Sequence, residues 1–96
     1  MVTASVTTVK NNLPLRVNHL VERVVDGELV LYDPKRQCVY ALNPTAAFVW
    51  RNCDGKQGTD EIVTALAGYY PDNLEEIERD VREILSRFLG EGLIRT

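Results

Sequence analysis

Residues 20–44 read LVERVVDGELVLYDPKRQCVYALNP, and the punctuation of this stretch decides the fold. Its apolar and β-branched residues fall into three short runs, Leu20 to Val25, Leu29 to Tyr32 and Cys38 to Leu42, each of strand length. Asp26-Gly27 is a strong tight-turn signal and joins the first two runs as a hairpin. Asp33-Pro34-Lys35-Arg36 is a polar turn in which Pro34 pre-sets φ, so the second and third runs join in the same way. The product is a three-stranded antiparallel meander with its third strand at an edge.

After Leu42 the period changes from two to helical. Asn43 is suited to the N-cap, and Pro44 sits at the first helical position, where its missing N–H costs nothing. Ala46, Ala47, Val49 and Trp50 continue the helix, which stops near Asp54-Gly55. Beyond Lys56-Gln57-Gly58, Thr59 is expected to cap a second helix, with Asp60 and Glu61 in its positive first turn and Ile62, Val63, Leu66 and Ala67 on its apolar side. A third helix, from Asn73 or Leu74 to Leu89, carries Ile77, Val81, Ile84, Leu85 and Phe88 on one stripe at spacings of three and four. Gly90 and Gly92 close it, and Leu93-Ile94 are expected to pack back as a short tail.

This order predicts a small α+β domain of winged helix-turn-helix type, a three-stranded antiparallel sheet followed by three helices. The expected core is Leu31, Tyr40, Leu42, Val49, Trp50, Ile62, Leu66, Val81, Ile84, Leu85 and Phe88. Residues 1–18 are expected to form a flexible arm and residues 19–96 the domain. Val2, Ser5, Val6 and Val9 of the arm suit an added strand, so the protein is expected as a monomer or a strand-exchanged dimer.

The chain has 96 residues, enough for one core, with 45% hydrophobic and 26% charged residues and a net charge of −3. That charge speaks against a surface built for phosphates. No apolar run has the roughly 20 residues that a membrane span needs. Met1 to Lys10 lacks the basic start and apolar stretch of a signal peptide, which makes the cytoplasm the expected location. Cys38 and Cys53 have no CxxC spacing and His19 is the single histidine, so neither metal nor cofactor is expected. Both cysteines read as small buried hydrophobes in a reducing compartment.

An ordered set of motifs then carries a family resemblance. Gly27 to Pro34, Val39-Tyr40-Ala41-Leu42-Asn43, Ala46-Ala47-Phe48-Val49-Trp50 and Asp54-Gly55 look like the PqqD family. Glu61-Ile62, Leu66, Tyr70, Asp80-Val81 and Gly92-Leu93-Ile94 continue the likeness, which spans residues 20–96. The resemblance implies a RiPP recognition element, a non-catalytic peptide chaperone that captures the leader segment of a ribosomally made precursor peptide. It also implies a downstream modifying enzyme as partner, such as a radical-SAM enzyme or a lasso-type leader peptidase. The stretch Leu29-Val30-Leu31-Tyr32-Asp33-Pro34-Lys35 departs from the Trp-x-Leu-Leu-x-Pro-Glu pattern of PQQ-biosynthesis members. Lasso-peptide and other precursor-peptide pathways therefore fit about as well as PQQ biosynthesis.

In such proteins the leader lies as an added strand against the third strand, with the third helix as the other wall. Strand addition is physically sound here, because an edge strand presents unpaired N–H and C=O groups and neighbouring pockets select side chains. The edge would belong to Cys38, Val39, Tyr40, Ala41 and Leu42, and the helical lip to Ile77, Asp80, Val81 and Ile84. Arg87 flanks the stripe beside Asp80, and Glu78 and Arg82 flank its other side.

A structural subunit or regulator that uses the same groove for a partner protein stays open on sequence, and two other rivals are weaker. A winged-helix DNA-binding regulator needs basic recognition residues, yet Asp60 to Tyr70 has no Lys or Arg, and Arg79, Arg82 and Arg87 face Glu75, Glu76, Glu78, Asp80 and Glu83. An enzyme needs a nucleophile, a base and an orienting group, and His19 with Cys38 or Cys53 is a dyad in form only.

Overall fold

The turn at Asp26-Gly27 has both residues at positive φ, 52° and 82°, the geometry whose twist matches two antiparallel strands. The computed structural model describes residues 13–96. They form β1 (Leu15–Arg16), β2 (Val21–Val25), β3 (Glu28–Asp33), β4 (Cys38–Leu42), α1 (Pro44–Arg51), α2 (Thr59–Ala67), α3 (Leu74–Gly90) and β5 (Ile94–Arg95), with a 3₁₀ turn at Pro71–Asn73. The α+β class and the strand-then-helix order are those predicted. β3 is central in the meander, and β2 and β4 are its edges.

Alternation along β3 gives the sheet an inner face. Leu29, Leu31 and Asp33 are buried, whereas Tyr32 between them is exposed. Leu29 pairs with Leu42 and Leu31 with Tyr40 across β4, so the apolar side of the edge strand also faces inward.

The second turn is held by a side chain. Asp33 Oδ1 accepts hydrogen bonds from the backbone N–H groups of Lys35 at 2.9 Å and Arg36 at 3.3 Å, and lies 3.2 Å from His19 Nε2. Burial alone would raise the Asp33 pKa, but the two backbone donors and His19 outweigh it and hold the carboxyl below the ordinary aspartate range. His19 thus ties the entry of β2 to the turn that ends β3.

Asn43 caps α1 as expected, its Oδ1 accepting from the Ala46 N–H at 2.8 Å. The cap of α2 differs by one residue: Gly58, not Thr59, is the N-cap. Gly58 takes the extended conformation and donates its N–H to Glu61 Oε1 at 2.7 Å, so an acid at the third helical position does the capping and Thr59 becomes helical. In α3, Ile77, Val81 and Phe88 turn inward, and Phe88 meets Trp50 edge to face at 5.8 Å. Such a pair contributes about 0.5–1.5 kcal/mol beyond its buried area.

Eight of the expected core residues are buried: Leu31, Leu42, Val49, Trp50, Ile62, Leu66, Val81 and Phe88. Tyr40, Ile84 and Leu85 are half-buried and pack against that core. Leu29, Val63, Leu93 and Ile94 join it as well.

The tail does pack back, and it does so as a strand. β5 pairs antiparallel with β1, Leu15 opposite Arg95 and Arg16 opposite Ile94. Further bonds run from Arg16 N to Cys53 O at 3.0 Å, Val17 N to Leu93 O at 3.0 Å and Gly55 N to Pro14 O at 2.9 Å. Residues 14–17 of the expected arm are therefore hydrogen-bonded to the domain. Val2, Ser5, Val6 and Val9 lie outside the described residues.

Candidate functional site

β4 spends one side of its backbone on β3, and no described strand lies along the other. Alternate N–H and C=O groups from Cys38 to Leu42 therefore point away from the sheet, a template for one more strand. Val39 is 65% exposed and Ala41 is also open, while Cys38 and Tyr40 are half-buried and Leu42 is buried.

Beside this edge runs a groove of about 340 Å³. Tyr40, Ala41, Leu42 and Asn43 form one wall, and Ala46 contributes from the first turn of α1. Ile84, Arg87 and Phe88 of α3 form the other wall, followed by Glu91 and Leu93. Residues 84, 87, 88 and 91 share a wall because residues three and four apart in a helix lie on one face. Leu42, Phe88 and Leu93 are buried, Ala46 and Ile84 are half-buried, and Asn43, Arg87 and Glu91 are exposed. The arrangement is an apolar trough with a polar rim, suited to apolar side chains of an extended segment whose backbone pairs with β4.

Tyr40 stands at the rim. Burial, then the Cys38 thiol and the Glu91 carboxylate beside it, push its phenol pKa above the usual value, so the hydroxyl stays protonated and able to donate.

The expected site residues divide among the trough, the core, a second hollow and, for Cys38 and Val39, parts of β4 that line neither hollow. Tyr40, Ala41, Leu42 and Ile84 come together in the groove. Val81 is fully buried and is not open to a peptide from solvent. Ile77 is 6% exposed and lies with Asp80 in a second hollow farther along α3, together with Thr45, Leu66, Tyr70, Asn73 and Glu76. Ala46, Phe88, Glu91 and Leu93 were not among the expected site residues. A signal for Phe88 and Glu91 exists in their spacing from Ile84, whereas Ala46 and Leu93 reach the groove only through tertiary packing.

The cysteines differ in placement: Cys53 is buried as expected, whereas Cys38 is only half-buried because it sits on the edge strand. Cys53 is fully buried, donates from Sγ to the Val49 carbonyl at 3.2 Å, and is pushed up to about 12 by burial. A thiol so protonated is a poor nucleophile. Cys38 Sγ lies 3.5 Å from the Arg36 carbonyl, and both thiols are free. Among the described residues, no group of three or more His, Cys, Asp or Glu could hold a metal, and no helix is long and apolar enough to cross a membrane.

Charge on the helical face also bears on DNA. Thr59–Ala67 of α2 contains no Lys or Arg, and Arg82 is engaged by Glu78 at 3.1 Å and Asp60 at 3.4 Å. α2 thus offers no cationic side chain for phosphate contacts, and on α3 Arg82 is already engaged.

A sheet edge open among the described residues faces an amphipathic helix, on a winged-helix frame, and this geometry is suited to strand addition. The chain belongs to the PqqD family, described as coenzyme PQQ synthesis protein D, which matches residues 28–94. Its fold is similar to that of TbiB1, solved in complex with the TbiA(beta) leader peptide, with a TM-score of 0.72 and 22% identity over 83% of this chain and 93% of that one. No curated protein matches the sequence.

Proposed function

We propose that this protein is a non-catalytic recognition subunit that binds the leader segment of a ribosomally synthesised precursor peptide. The leader adds as a strand to β4, seats its apolar side chains in the trough against α3, and is presented to a separate modifying enzyme. The observation that carries this is the edge of Cys38–Leu42, unpaired among the described residues and lying directly beside the groove. Family membership and the likeness to a leader-bound fold support it. Main-chain hydrogen bonds supply affinity in such a complex, and the trough supplies selectivity. The enzyme served is a radical-SAM enzyme or a leader peptidase of PQQ, lasso-peptide or related maturation.

NMR titration with the leader of a short precursor encoded beside the gene tests this. Amides from Cys38 to Leu42 should shift and become protected from exchange. Unchanged spectra at saturating peptide would overturn the proposal.

A further inference from the structure

Among the groove's lining residues Arg87 is the one cation. It makes no ion pair and no side-chain hydrogen bond among the described residues, in contrast to Arg82, which is held by two acids. Glu91, one turn on, has its carboxylate beside Tyr40 and gives its carbonyl to Arg36. An exposed guanidinium at the rim of an apolar trough is a fork-shaped donor without an acceptor, matched in geometry to a carboxylate.

The same helix face changes sign along its length. Glu76, Asp80, Ile84, Arg87 and Glu91 follow one another at spacings of four, four, three and four, which aligns them in one stripe. The hollow that holds Glu76 and Asp80 contains no Lys or Arg. A carboxylate that pairs with Arg87 is repelled at the Asp80 end, so a strand that slips or reverses in the groove loses its charge match. Asp80 and Arg87 are seven residues apart, about 10 Å along the helix axis at a rise of ~1.5 Å. An extended strand covers that distance in about three residues.

We infer that Arg87 is a specificity-determining residue of the groove, pairing with an Asp or Glu side chain of the bound strand, and that the acids at Asp80 and Glu76 set the strand's register and direction by excluding that side chain from the far end. This rests on the peptide-binding function proposed above and adds the charge that the peptide must carry.

The test is selection of a displayed library of random 15-residue peptides on the full-length wild type, Arg87→Gln and Arg87→Glu, each first checked for unchanged circular dichroism and melting. Wild type should enrich sequences with an acid at one position beside apolar residues, and with none about three residues away on the Asp80 side. Arg87→Glu should enrich Lys or Arg at that position. Arg87→Gln should bind the best wild-type peptide about 3- to 10-fold more weakly, with a shallower salt dependence, as for a rim ion pair. Enrichment of the same acid-free set by all three proteins overturns the role of Arg87 while leaving strand addition intact. If no variant enriches peptides that shift the Cys38 to Leu42 amides, the groove itself is not a peptide site and both proposals fall.

Discussion

Arg36 spans 55 residues of sequence to donate from Nη1 to the carbonyl of Glu91 at 2.8 Å, tying the β3–β4 turn to the residue that ends α3. The two walls of the groove are therefore fastened at one mouth. Gly92 makes room for this contact: its φ is +75°, and a Cβ there would lie 3.1 Å from Arg36 Nη2.

Arg36→Ala should loosen that mouth without unfolding the domain, because the bond is exposed and worth about 1 kcal/mol. Calorimetric titration with the leader peptide should show affinity lower by up to about fivefold, with melting lowered by only a few degrees. An affinity equal to wild type would mean that the walls keep their spacing unaided.

Ile77 and Ile84 look alike in sequence and differ in place. Ile77 is buried, so Ile77→Ala should destabilise the protein by about 2–5 kcal/mol, the usual cost of an aliphatic-to-alanine change in a core. Ile84 is half-buried on the groove wall, so Ile84→Ala should cost less stability and more affinity. Denaturant melts and peptide titrations on both variants check this, and equal effects on stability would remove the distinction.

Asp33 should make stability depend on pH in the acid range. Its pKa is lower folded than the ordinary aspartate value of about 3.9, so its contribution is present above that value and lost as pH falls through the folded one. Melting temperature should hold steady from neutral pH to about 5 and decline below about 4. Asp33→Asn should be less stable at neutral pH and decline less steeply in acid, since it keeps the shape of the turn but not the charge beside His19.

Turns, caps and strand runs were legible because their causes lie within a few residues of one another. Asp26-Gly27 specifies a positive-φ turn, Asn43-Pro44 starts a helix, and the apolar spacing from Ile77 to Phe88 marks one helical face, whatever the rest of the chain does. The cap of α2 was misplaced by one residue because Thr59 and Gly58 are both acceptable caps locally, and Glu61 decides between them by reaching back to Gly58.

The sequence by itself determined the order of elements, the edge position of Cys38–Leu42 and the amphipathic character of α3. Tertiary structure decided which side of the α3 stripe is core and which is groove. Val81 and Ile84 are both apolar and one turn apart, and only the packing of α2 and α1 against α3 separates them. It also decided the pairing of Leu15–Arg16 with Ile94–Arg95, a two-residue ladder closed across most of the chain, which has too few residues for any periodicity to announce it. Arg87 was visible as a charge beside the stripe; its place at the rim of the groove, without an acidic partner among the described residues, exists only once α3 is set against β4.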